Sequence, residues 1–389
     1  MFYLIYDQLV RARGDAGIFQ VFGQLQFRAL AAAALSFLIV VFLGPRTIAW
    51  LIRQKIGDSG ATDAEALRGH TSSKANTPTM GGILIVGSIL MSVFLLSDLS
   101  VRYVQFGLVV VIWLAVLGGI DDWLKLTARS RGSGSRQGLY AWEKLVFQLG
   151  LGLLISWFVY KQGVVMPEQA HDVRHVLNLP LQKTYMPETH ELNHSLLYLG
   201  MGTFVLIGTL MIAGMSNAVN ITDGMDGLAA GISAAVTMGL FILAMIAGYQ
   251  SWAQTLLVPY VPYAGELSVL CGATAGACLG FLWWNCSPAR VFMGDTGALC
   301  LGGIIGYVAV VTRQEIVVLL MSGVFLIEIG SVALQVGYFK ATGGKRIFKV
   351  APYHHHLHLS GWPEQQVVAR LWIISILLVV MGLASIKVR

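Results

Sequence analysis

Five carboxylates stand out in a chain that otherwise avoids charge. Asp121 and Asp122 follow Gly118-Gly119-Ile120, and Asp223 and Asp226 lie in Asn220-Ile221-Thr222-Asp223-Gly224-Met225-Asp226-Gly227. Asp295 belongs to Arg290-Val291-Phe292-Met293-Gly294-Asp295-Thr296-Gly297. Clustered carboxylates with glycine-permitted backbone approach suit Mg²⁺, which takes oxygen ligands and commonly bridges protein to phosphate. Taken singly, each has a plainer use: Asp223 and Asp295 are also good helix caps, and Asp121-Asp122 good interfacial turn residues. Three such clusters together argue for one acidic site.

Two further motifs carry anion chemistry. In Lys74-Ala75-Asn76-Thr77-Pro78-Thr79-Met80-Gly81-Gly82, the proline and paired glycines predict a tight turn into a helix. Lys74 and the threonine hydroxyls then lie near a helix N-terminus, which favours anions. Pro352-Tyr353-His354-His355-His356-Leu357-His358 follows Lys345, Arg346 and Lys349. Adjacent histidines on a regular helix cannot all face one metal, so they read as donors to phosphate or sugar oxygens.

The elements that must position these residues are membrane helices. The chain has 389 residues, of which 56% are hydrophobic and 12% charged, with 44 glycines. Soluble domains carry about 25% charged residues, and a core cannot hide this apolar surplus. The composition also excludes a disordered chain or a nucleic-acid domain, although the net charge is +6. Continuous apolar windows fall near 25–45, 80–97, 103–120, 144–160, 196–214, 228–248, 267–284, 298–312, 316–340 and 367–386. Spans of about 20 residues predict ten transmembrane helices in an all-α polytopic protein, one catalytic domain over 1–389. The N-terminal stretch has no separate cleavable core and reads as leading into a span. Most Lys and Arg fall in or beside the loops after odd-numbered spans, about 46–79, 121–144, 215–227, 285–297 and 341–366. The positive-inside rule makes those loops cytoplasmic and places both termini outside. All five carboxylates fall in these loops, which predicts a single cytoplasmic site. Cys271, Cys278, Cys286 and Cys300 read as small buried hydrophobes, and the histidines of 161–195 (His171, His175, His190, His194) as solvated loop residues.

At these motifs the sequence resembles the phospho-N-acetylmuramoyl-pentapeptide transferases. The match comprises Pro78–Gly82, Asp121-Asp122, Asn220–Gly227, Met293–Gly297 and the histidine loop through Gly361-Trp362, in family order. Asn76 stands where the family usually has glycine, and Leu357-His358-Leu359-Ser360 replaces a more charged stretch. The resemblance implies ten spans with outward termini in the bacterial cytoplasmic membrane. It implies transfer of phospho-MurNAc-pentapeptide from UDP-MurNAc-pentapeptide to undecaprenyl phosphate, giving lipid I and UMP with Mg²⁺ as cofactor. It is compatible with a homodimer. By the same likeness Asp295 is the direct metal ligand, while Asp121 and Asp122 handle the acceptor phosphate or assist the metal. His354 joins them at the reaction centre. Lys74, Thr79, Lys125, Asn220, Asp223, Asp226, Asn285, Phe292, Gln335, His355 and His356 line the donor pocket. Two rivals share some of these features. A polyprenyl-phosphate GlcNAc-1-phosphate transferase has the acidic loops, but the triple histidine points to the muramoyl donor. An ion-coupled transporter places its acids near the bilayer midplane rather than at one set of span ends.

Overall fold

The computed structural model describes residues 1–14, 16–54, 77–128, 138–162, 172–179 and 181–387. Lys74, Asn76 and His171 lie outside the described residues. The apolar runs fold as helices because backbone in hydrocarbon must satisfy its N–H and C=O groups internally. In chain order the helices are α1 (Phe2–Arg13), α2 (Leu25–Arg53), α3 (Gly82–Leu96), α4 (Arg102–Thr127), α5 (Ala141–Gln162), α6 (Met201–Thr222) and α7 (Leu228–Gly248). Then come α8 (Gln250–Thr255), α9 (Leu267–Asn285), α10 (Gly294–Thr312), α11 (Glu315–Met321), α12 (Gly323–Ala341), α13 (Tyr353–Leu359) and α14 (Glu364–Lys387). Among the described residues, nine helices are long and apolar enough to cross a membrane. The apolar α3, expected as a further span, has only 15 residues. Isolated β-bridges join Val176 to Tyr198 and Tyr185 to Leu192. The molecule is an all-α polytopic membrane protein.

Helix α10 is the hub: 94% of its apolar window is buried inside the protein. Lipid tails offer no hydrophobic drive for helix association, so close backbone packing by small residues must supply it. Gly302 and Gly306 of α10 provide this, lying flat against the α6 backbone at Met215 and Met211. The hub's N-terminus is therefore held at a fixed height beside the ends of α4 and α6.

Several boundaries differ from the sequence expectation. Asp121-Asp122 and Asn220 were assigned to loops, yet α4 continues to Thr127 and α6 to Thr222. No glycine or proline interrupts either segment beyond the acids or the asparagine, and Lys125 one turn on pairs with Asp121. The 316–340 window is two helices, α11 and α12, broken at Ser322 just before Gly323. The N-terminus forms α1, an extra helix whose Met1 ammonium donates to the Phe94 and Leu95 carbonyls at 2.7 and 3.0 Å. A cation at the C-terminal end of α3 is well placed for the helix dipole.

The end opposite the acids is tied by buried charge. Arg28 makes a two-pronged contact with Glu266, which also accepts the Asp98 N–H. His175 is not a solvated loop residue: its ring stacks on Tyr160 with centroids 4.0 Å apart, and burial lowers its pKa. His190 and His194 are exposed as expected. Cys271, Cys278 and Cys300 are buried, but Cys286 is exposed because it lies just past the end of α9.

Candidate active site

Asp121 and Asp122 ride on the last two turns of α4, and Asp295 on the first turn of α10. Two glycines let these helix ends meet. A Cβ on Gly118 would overlap the Asp295 carbonyl, so α4 can approach α10 only without one. Gly294 has φ 74°, a left-handed conformation that costs other residues roughly 1–2 kcal/mol. The resulting trio offers one oxygen from each of Asp121, Asp122 and Asp295, all within 4.8 Å of one another.

The two neighbouring aspartates of α4 have different surroundings. Asp122 Oδ1 accepts the Asp295 N–H at 3.0 Å. Its Oδ2 accepts the Thr296 N–H at 3.0 Å and the Thr296 hydroxyl at 2.7 Å. Asp122 therefore caps α10 from another helix, satisfying donors that a helix N-terminus leaves free. Asp121 instead faces ammonium groups. Its Oδ2 is 2.6 Å from Lys125 Nζ and 3.3 Å from Lys144 Nζ, while Oδ1 accepts the Leu139 N–H at 2.7 Å. The same lysines reach Asp295, Lys125 at 3.2 Å and Lys144 at 2.9 Å, and Asn220 Nδ2 donates to Asp295 at 3.0 Å.

Asp223 ends α6 beside this cluster and is partly exposed. Burial, with the carboxylates of Asp295 and Asp122, pushes its pKa up to about 7. Asp226 and Asn285, expected in the donor pocket, are buried in the loop framework. Asp226 accepts the Ala289 N–H at 3.0 Å, and its own N–H donates to Glu364 at 3.0 Å. Asn285 accepts the Gly227 N–H at 3.0 Å and donates to the Val291 carbonyl at 2.8 Å. Both of its amide ends thus shape the turn.

The histidine loop forms α13, with His354 fully buried against the turn at Gly224. His355 lies next to it, its ring centroid 4.2 Å away. His356 points back to its own loop, where Nδ1 accepts the Lys349 N–H at 3.2 Å. Gln335 of α12 does the same work, its Oε1 accepting the Ile347 and Phe348 N–H groups at 3.1 and 2.9 Å. Phe292 and Thr79 are partly exposed on two segments joined by backbone bonds: Phe292 N–H to Pro78, and Gly81 N–H to Phe292, each 2.8 Å.

Two side chains that sequence reasoning passed over matter here. Lys144 counted there only as a basic loop residue, and its contact with Asp295 spans 151 positions. A lone lysine at the start of an apolar span, on the same side as the acids, was the available signal. Thr296 was quoted only as part of a motif.

The cluster fits a hard divalent cation. Its donors are all oxygen, and three carboxylates face two ammonium groups, leaving net negative charge before Asp223 is counted. The acids gather at one set of helix ends, unlike a midplane transport site. A cavity of about 1730 Å³ lies elsewhere, lined by Arg102, Tyr103, His190, Glu191 and Tyr260 among others. Tyr103 is about 27 Å from Asp121 along α4 at 1.5 Å per residue, so this basin is not part of the acidic site.

Comparison with known proteins identifies the family. The glycosyl transferase family 4 model matches residues 104–313. The phospho-N-acetylmuramoyl-pentapeptide-transferase signature 1 matches residues 74–86. The chain is 40% identical over 390 residues to the phospho-N-acetylmuramoyl-pentapeptide-transferase of Thermodesulfovibrio yellowstonii, covering 99% of this chain and 100% of that one.

Proposed function

The chain belongs to the phospho-N-acetylmuramoyl-pentapeptide-transferase family, and from that premise we propose how its acidic site works. The protein transfers phospho-MurNAc-pentapeptide to a lipid carrier in peptidoglycan synthesis. The donor in our reading is UDP-MurNAc-pentapeptide, the acceptor undecaprenyl phosphate, and the products lipid I and UMP. A soluble nucleotide sugar and a membrane-held phosphate meet only at an interface. We therefore assign the site to the cytoplasmic face of the bacterial inner membrane.

The observation that carries this reading is the trio of Asp121, Asp122 and Asp295 with Lys125 and Lys144 among them. Asp295 and Asp121 would hold Mg²⁺, with Asp122 Oδ1 close enough to join them through the lone pair its single N–H bond leaves over. When bound, the ion neutralises the diphosphate and polarises the phosphorus under attack. Lys125 and Lys144 exchange carboxylate partners for phosphate oxygens, which lets two anions approach. Asn220 holds Asp295 in place. Asp223 and Phe292 flank the donor's uridine, Phe292 by stacking, and Lys74 and Thr79 approach its phosphates.

We favour direct displacement. The acceptor phosphate oxygen bonds to the donor's β-phosphorus as the bridging bond to UMP breaks. A phosphate monoester has its second pKa near 6, so it is mostly dianionic at neutral pH and already nucleophilic. Neither Asp121 nor Asp122 needs to attack, in keeping with the oxygens of both being hydrogen-bonded or ion-paired.

UMP release by purified protein tests the assignment. UDP-MurNAc-pentapeptide should be used in preference to UDP-GlcNAc, with activity lost on chelation and restored by Mg²⁺. Asp295→Asn should lower turnover by at least 100-fold, the scale of removing a charged contact of about 3 kcal/mol. It should leave folding intact, as read by thermal unfolding. Near-normal activity of that variant at limiting Mg²⁺ would remove Asp295 from the ion's ligands.

A further inference from the structure

The buried histidine of α13 has a partner that the proposed chemistry does not use. His354 Nδ1 lies 3.0 Å from Glu328 Oε2, and the His354 backbone N–H donates to the same oxygen at 3.2 Å. Two contacts from one residue to one oxygen fix both the position and the rotation of the ring. Glu328 and His354 are each 0% exposed. Glu328 belongs to α12, a helix apolar enough to span a membrane, where an ionisable group is costly and usually functional.

The far side of the ring is unsatisfied. His354 Nε2 is buried without a hydrogen-bond partner, as is Glu328 Oε1. A buried polar atom left unpaired costs about 1–3 kcal/mol, and native proteins seldom tolerate one without a use. Nε2 faces Gly224, where an added Cβ would lie 2.5 Å from it. Gly224 is exposed and follows Asp223, so the orphan nitrogen lies just beneath the donor side of the site. The other titratable groups beside it are His355, with ring centroids 4.2 Å apart, and Asp223 across the turn.

We propose that Glu328 is the positioning residue for His354. Its carboxylate pairs with Nδ1 and with the backbone N–H of the same residue, which fixes the ring with Nε2 turned to the Asp223–Gly227 turn. Nε2 then takes a polar group of the nucleotide-sugar donor at that turn as its hydrogen-bond partner. Glu328 touches no substrate; it acts through the histidine. The inference rests on the transferase reading above.

A double-variant cycle separates this from a structural role. Purified wild type, Glu328→Ala, Glu328→Gln, His354→Ala and the two Glu328/His354 double variants are assayed for UMP release, varying donor and acceptor in turn. Thermal midpoints are recorded alongside. Wild-type turnover of UDP-MurNAc-pentapeptide checks the underlying reading on its own. Glu328→Ala should lower kcat/KM for the donor roughly 30- to 100-fold, with acceptor KM within about twofold of wild type. The double variants should fall no more than about threefold below His354→Ala, because both changes remove one device. Glu328→Gln keeps an oxygen that can accept the Nδ1–H and should recover at least about threefold over Glu328→Ala. If Glu328→Ala does not fold, the cycle built on Glu328→Gln carries the same comparison. Multiplicative losses in the double variants would overturn the proposal while leaving the transferase reading intact. So would unchanged donor kcat/KM per folded molecule, or a defect confined to the acceptor.

Discussion

Asp122 accepts three hydrogen bonds from the first turn of α10, whereas its neighbour Asp121 accepts a loop N–H and pairs with two lysines. Their variants should therefore differ in stability more than in activity. Asp122→Asn turns an amide NH₂ toward backbone N–H donors and loses a cap worth about 1–2 kcal/mol. Its thermal midpoint in detergent should fall several degrees, while Asp121→Asn should shift less, although both lose turnover. Asp223 predicts a pH effect of definite sign. Its folded pKa of about 7 exceeds the ordinary value of 3.8, so its contribution to stability is complete below pH 3.8. Stability is lost as pH rises toward 7, because the unfolded chain ionises first. Without divalent cation, Asp223→Asn should gain thermal midpoint over wild type between pH 5 and pH 8. An advantage that does not grow with pH would mean that Asp223 stays ionised in the folded protein. The acids were legible as residues because carboxylates are rare in so apolar a chain. Their partners were not, since the Lys144–Asp295 contact joins residues 151 apart and no local pattern encodes it.

Helix ends, rather than helix bodies, decide where the chemistry lies. Gly118 admits the first turn of α10 against α4, and Gly118→Ala must push the two apart. Overpacking of this kind typically costs about 1–3 kcal/mol. It also separates Asp121 and Asp122 from Asp295, so UMP release should fall by more than about tenfold even where the variant folds. Normal activity would show that the α4–α10 contact can relax without moving the acids. Apolar run length set the order of the long helices, because the hydrocarbon thickness fixes the length of each run. It could not give their ends. Asp121, Asp122 and Asn220 stay helical past the apolar window, where intrahelical bonding and neighbouring helices sustain the turn. The break at Ser322 coincides with Ser322-Gly323, two weaker helix formers that interrupt an otherwise apolar run. His175 escaped the solvated-loop expectation because its stacking partner Tyr160 is on the preceding helix.

At the scale of the molecule, the acids, lysines and histidine loop converge at one end, while Arg28–Glu266 and α1 secure the other. Orientation in the bilayer can be read from a native marker. Cys286 is exposed at the acidic end of α9, and the other three cysteines are buried. A membrane-impermeant maleimide should label the protein in inside-out vesicles but not in intact cells, and Cys286→Ser should abolish the labelling. The opposite pattern would put the site on the outer face. The paired lysines bear on biogenesis as well as on phosphate. Asp121 meets Lys125 one turn later and Lys144 on the following helix, so its countercharges lie within 23 residues of it. Asp295 is synthesised 151 residues after Lys144. A chain made from its N-terminus thus holds Asp121 and both of its lysines well before Asp295. The two lysines assigned to phosphate stand beside Asp121 in the growing chain before Asp295 has been translated.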